Sequence, residues 1–235
     1  MADPSALAHE LEAIVAGLGR AQTVHYLHVS SACLFTYDFL LTFPDEAALI
    51  WHAPWGIGKI LFLIERYLSW PELFIALYIE LSAVPQKVCD NGFAYITWSI
   101  LVCITAAEAI LILRTWAIWG GKQCVLFALS ALLLVITAVN AYIVVAYLRK
   151  TDRCLVTSSS REIATVWITV ASFELLILTM TLIKGVEHFA HTSSTLLVSL
   201  YRDGILYFVF LFVISLVNMT FVLSAPAEYV VLLAQ

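Results

Sequence analysis

Charge is scarce in this chain. Only 12% of its 235 residues are Asp, Glu, Lys or Arg and 62% are hydrophobic, whereas soluble domains carry about 25% charged and about 45–50% apolar residues. That balance excludes an ordinary soluble domain. A basic surplus is also missing: the formal net charge is -5, which leaves no cationic surface for nucleic acid. The five cysteines, Cys33, Cys89, Cys103, Cys124 and Cys154, include no C-x-x-C pair, so zinc-ribbon and thioredoxin-like motifs are excluded. The first twenty residues have neither a basic n-region nor a strong apolar h-region, and so do not read as a cleaved signal peptide. There is no G-x-S-x-G, no H-E-x-x-H and no phosphate-binding glycine loop, which argues against an enzyme and gives no cofactor motif. The histidine pairs His25/His28 and His188/His191 are spaced i, i+3. They do not form the histidine boxes of membrane di-iron enzymes, and no metal site is expected from them.

What the chain does have is long apolar runs. A helix needs about 20 apolar residues to cross a bilayer, and runs of that kind cover roughly 24–43, 57–82, 92–116, 124–147, 163–183 and 205–225. None alternates with period two. Backbone groups must be paired in lipid, so the runs predict helices. The expected fold is all-α: one integral membrane bundle of six transmembrane helices over residues 1–235. Pro71 predicts a kinked second helix. The tail after Pro226 is too short to cross. Ahead of the first span, Asp3-Pro4 marks a helix start, and Leu7, Leu11, Ile14, Val15 and Leu18 share a face. Residues 1–22 therefore read as a short amphipathic segment on the membrane surface.

With the N-terminal side called A and the opposite side B, Arg20, Lys87, Arg149, Lys150, Arg153 and Arg161 fall on A, and Lys59, Arg114, Lys122, Lys184 and Arg202 on B. This near balance gives no positive-inside bias. Trp51, Trp55, Trp116 and Trp119 gather at B as an interfacial belt. Cys89 and Cys154 are the cysteines placed in loops, both on A. A disulfide between them would require the oxidising face, putting A and the N-terminus outside at the plasma membrane. The sequon Asn218-Met219-Thr220 falls inside the sixth span, out of reach of glycosylation.

The stretch from Tyr26 to Pro71 resembles the fungal domain of unknown function 6533. The resemblance rests on Tyr37-Asp38 in the first helix, Glu46 and Trp51 in the first loop, and Gly58-Lys59 and Arg66-Tyr67 in the second helix. LILRTWAIWG (111–120), FELLILTMTLIKG (173–185) and LYRDGILYF (200–208) also look like full-length members. The resemblance implies a multi-pass membrane protein of mushroom-forming fungi with no assigned activity. It also implies a seven-helix layout with a basic stretch after the sixth span. This chain departs from that pattern, since it stops at Gln235 and the seventh helix is missing.

Four ionisable residues, Asp38, Arg66, Glu108 and Glu174, fall at similar depth in the B half of four spans. A charge there is costly unless paired, so the expectation is an intramembrane polar cluster with Arg66 bound to at least one of the three acids. Glu65 is expected on another face, at the interface or toward a partner. The functional readings are a receptor-like or sensor-like bundle that takes a small ligand and contacts a cytosolic signalling partner, a small transporter or channel subunit, and a structural or assembly membrane protein. The lipid bilayer is the one partner common to all three.

Overall fold

A computed structural model describes residues 4–82, 84–150, 161–189, 206 and 208–220. Among them the chain is all helical. The first helix, α1, runs from Pro4 to Glu46 and passes directly into a π-helical turn, Ala47–Trp51. Then follow α2 (Ile57–Leu81), α3 (Gln86–Ile118), α4 (Gln123–Lys150) and α5 (Arg161–Phe189). A shorter apolar helix, α6, covers Phe208–Thr220. The described elements follow the six apolar runs, with the rest of the sixth lying outside the described residues.

Three helical stretches are long and apolar enough to cross a membrane: Gln86–Ile118, Gln123–Arg149 and Ala164–Lys184. This supports a membrane location. α2 does not reach that standard, because Lys59, Glu65, Arg66, Glu72 and Glu80 interrupt it. α1 is thinned by His25, His28 and Asp38. α2 continues through Pro71 without a break.

At the N-terminus the helix is continuous. The surface segment and the first span are not separate: α1 is one helix of 43 residues, about 65 Å long at about 1.5 Å per residue. Nothing between Pro4 and Glu46 interrupts its ladder until Pro44, which withholds one backbone donor just before the π-turn. A rod of that length exceeds a hydrocarbon core of about 30 Å.

α3 is the central helix and packs on α2, α4 and α5, while α1 lies against α2. The main core joins Leu111 and Ile112 of α3, Leu129 and Leu133 of α4, Phe173, Ile177 and Leu178 of α5, and Phe208 of α6. A second cluster, Val144, Tyr147 and Leu148, closes the far end of α4 against Phe93 and Ala94. Small and polar residues bring the helices close, as expected where burial from water gives no drive between helices. Gly92 admits Ile79 so closely that a Cβ there would overlap its Cδ1. Thr169 donates to Asn140 Oδ1 at 2.8 Å, and the fully buried Thr115 and Thr181 hydroxyls meet at 3.5 Å. The α3–α4 turn uses left-handed glycines, Gly120 and Gly121 at φ 69° and 73°.

The distribution of polarity is inverted relative to a soluble protein. Glu46, Glu72, Glu108, Glu174, Asn140 and Thr181 are buried, while Leu34, Leu40, Leu41, Phe127, Leu134, Val135 and Tyr142 are exposed. An apolar exterior with the polar residues turned inward is the arrangement lipid favours.

Candidate functional site

The polar residues of α1 and α2 form a clamp at end B. Glu46 is buried at the close of α1. Its carboxylate accepts from Arg66 Nε, from the Tyr67 hydroxyl at 2.7 Å and from Trp51 Nε1 at 3.1 Å. Arg66 also donates to the Thr42 hydroxyl and to the Phe39 carbonyl at 3.4 Å. Its guanidinium lies 4.7 Å from the centre of the Phe39 ring. Lys59 caps the π-turn by donating to the carbonyls of Trp51 at 3.0 Å and Ala53 at 2.8 Å, with its ammonium 4.6 Å from the Trp55 ring centre. Burial pushes the Glu46 carboxyl up. The hydrogen bonds from Tyr67, Trp51 and Arg66 and the Arg66 charge outweigh it and hold the group below the ordinary carboxylate value.

This geometry corrects the expected four-residue cluster. Arg66 pairs with Glu46, not with Asp38, Glu108 or Glu174. Its long side chain reaches from α2 toward the polar end B, which a count of helix depth does not register. Asp38 is exposed on α1. Glu108 and Glu174 are buried in the interior between α3 and α5, within electrostatic reach of each other. Each leaves its Oε2 atom without a hydrogen-bond partner. Glu174 lies near Ser215 of α6. Glu65 lies within electrostatic reach of Arg114 on α3.

At end A a second polar contact closes α1 on α2. The buried His28 places Nδ1 2.6 Å from a Glu80 carboxylate oxygen, and His25 Nδ1 lies 3.6 Å from Glu80. The i, i+3 spacing thus puts both histidines on one face, as the pattern suggested, but against a carboxylate of α2. Cys89, at the same end, is disulfide-bonded, whereas Cys33, Cys103 and Cys124 are free. Cys154, the expected partner, lies outside the described residues, as do His191 and Arg202. Trp51 and Trp55 are exposed at end B, while Trp116 and Trp119 are half-buried.

Between these two contacts lies a cavity of about 120 Å³ lined by Ser31, Phe35, Ser69, Glu72 and Leu73. Phe35 packs edge-on against Trp70 at 5.1 Å, and Trp70 also meets Phe39 at 4.9 Å, so aromatic rings form the floor toward end B. Glu72 is buried and lies against Ser99 of α3. Sequence reasoning missed Glu72. A usable signal was present: Glu65, Ser69 and Glu72 are spaced i, i+4, i+7, which places three polar residues on one face of an apolar helix.

The fold and these sites define a helical bundle with three helices long and apolar enough to cross a membrane and with several buried polar residues. Residues 26–70 match the model of a family of unknown function, DUF6533. That segment contains the whole of the end B clamp, from Phe39 to Tyr67. No curated protein and no solved structure matches the chain.

Proposed function

We propose that this chain is a six-span membrane protein of the receptor or sensor kind, with a small-ligand pocket in the outer half of the bundle. The observation that carries this reading is the cavity lined by Ser31, Phe35, Ser69, Glu72 and Leu73. Ser31 lies in the A half of the first apolar run, and Glu72 and Leu73 lie in the A half of the second. The inverted polarity supports membrane insertion of α1 and α2 alongside α3, α4 and α5, with the clamp removing the cost of charge in α2. The Cys89 disulfide, read with Cys154 as its partner, supports end A and the N-terminus outside, at the plasma membrane. A ligand bound between α1 and α2 would shift the clamp, and through it the π-turn at end B, where a cytosolic partner would read the change.

The test is a conformational reporter in proteoliposomes. Cys124 is exposed at the end B turn and takes a fluorophore in a background with Cys33→Ser and Cys103→Ser. A panel of small polar molecules added at side A should include one that changes the emission, and Leu73→Trp, which fills the cavity, should abolish that response. An emission unchanged across the panel, or a response that survives Leu73→Trp, refutes the receptor reading.

A second reading, a proton-coupled transporter, is favoured by one observation. Glu108 and Glu174 are interior carboxyls with unpartnered oxygens. It requires dissipation of an imposed pH gradient by the reconstituted protein, lost in Glu108→Gln.

A further inference from the structure

We propose that the cavity between α1 and α2 holds a small organic ammonium ion, with the Glu72 carboxylate as its counter-ion. This rests on the pocket reading above and names the class of ligand the pocket takes.

Size sets the first limit. A volume of about 120 Å³ is roughly four times the ~30 Å³ share of a liquid water. An ammonium carrying two or three carbons fits.

The chemistry of the wall sets the second. An ionised carboxylate only accepts hydrogen bonds. Ser69 sends its hydroxyl hydrogen to the Glu65 carbonyl at 2.9 Å, and Ser31 sends its own to the His28 carbonyl at 3.0 Å. The polar atoms of the cavity wall thus present oxygen with its donor hydrogens directed into the helices. The matching group is one that donates and does not accept, and an ammonium is that group. An anion would meet a carboxylate and no donor. Phe35 supplies a ring beside the carboxylate, the usual companion of a bound cation, and Leu73 supplies an apolar wall for a short alkyl chain.

Charge sets the third. Among the described residues, no cation of the protein pairs with Glu72. Arg66 is held by Glu46, and Lys59 is held by the carbonyls of the π-turn. A carboxylate at this depth is costly unless a partner charge is supplied, and the ligand supplies it. Behind Glu72, the buried Ser99 hydroxyl is placed to donate to the carboxylate and fix its orientation.

The experiment uses the full chain in nanodiscs of zwitterionic lipid, titrated with propylammonium chloride by calorimetry and by thermal shift. Sodium chloride at equal ionic strength and 1-butanol, a neutral molecule of similar size, are the controls. Wild type should bind propylammonium saturably and bind 1-butanol weakly. Glu72→Gln should weaken propylammonium binding by about ten-fold or more, as expected for loss of a charge-assisted contact. Ser99→Ala should weaken it less. Leu73→Trp keeps the carboxylate but fills the cavity and should abolish binding, so the proposal remains testable if Glu72→Gln fails to fold. Equal binding of 1-butanol and propylammonium to wild type, both lost in Leu73→Trp, overturns the ammonium assignment and leaves the pocket standing. Binding that persists in Leu73→Trp places the ion elsewhere and overturns both.

Discussion

Replacing Arg66 with leucine tests the end B clamp directly. The Glu46 side chain is 3% exposed and that of Arg66 16%, so solvent does little to screen either charge. Arg66→Leu leaves a buried carboxylate with its Tyr67 and Trp51 donors but no cation. Breaking a buried ion pair from one side costs about 3–5 kcal/mol, and loss of the cation from the Phe39 ring adds about 0.5–2 kcal/mol. Tyr67→Phe removes one neutral donor and should cost only about 1–2 kcal/mol. The double variant Glu46→Gln/Arg66→Leu removes both charges. It should therefore be less destabilised than the sum of its single variants by about 1.5 kcal/mol or more. Denaturation in bicelles, followed by helical circular dichroism, gives the four corners of this cycle. Additivity to within about 0.5 kcal/mol would mean that the two residues act independently, and would refute the claim that α1 is tied to α2 through this pair.

Acid should loosen the same clamp. The folded Glu46 carboxyl lies below its ordinary value of 4.5. Its contribution is therefore fully present above that value and is lost as the pH falls through the lower, folded one. Stability should decline below about pH 4.5 in wild type, and the decline should be shallower in Glu46→Gln when unfolding is followed across an acid series. Ile177 is fully buried in the main core, so Ile177→Ala should cost about 2–5 kcal/mol in the same denaturation assay. Gly92→Val should cost about 1–3 kcal/mol through overpacking against Ile79, and Ile79→Ala should relieve part of that loss. If Cys89 pairs with Cys154, non-reducing gels should show a mobility shift that reduction removes and Cys154→Ser abolishes. No shift would remove the support for placing end A outside.

The long apolar runs were legible because they depend only on local composition. The bounds of α3, α4 and α5 follow the expected spans to within a few residues, apart from the early start of α3 at Gln86 and the extension of α5 to Phe189. The first two helices were harder, because their polar residues are matched across elements rather than along them. Counting depth along α2 placed Arg66 beside Glu108 and Glu174, but the count follows the backbone and not the atoms that carry charge. The guanidinium reaches the end of α1 instead. Glu46 had already entered the sequence reading beside Arg66-Tyr67 as part of the family pattern, and that co-occurrence was the signal for their pairing. Glu72 and Ser99 carried no such mark. Glu72 shares a helix face with Glu65 and Ser69, but only the packing of α2 on α3 brings it to Ser99. The merging of the surface segment with the first span was also unreadable, since both parts favour a helix and nothing in the sequence says whether a bend separates them.

The segment that matches the family model and the residues that could do chemistry are largely different sets. Glu46, Trp51, Lys59, Arg66 and Tyr67 satisfy one another within residues 26–70. Each oxygen of the Glu46 carboxylate has its donor within the clamp. Such a set fixes how α1 and the π-turn close on α2. Beyond it, the buried carboxyls of Glu108 on α3 and Glu174 on α5 each leave an oxygen without a partner. Only the cavity joins the two sets, because Ser31, Phe35 and Ser69 come from within the segment and Glu72 and Leu73 from just after it. If the segment holds a geometry and does not itself perform a reaction, substitutions in the clamp should lower abundance and stability together. Substitutions at Glu72 should instead leave abundance near wild type and change the response to an added ligand. A clamp variant that folds normally yet loses ligand response would reverse that assignment and make the clamp part of the signalling path.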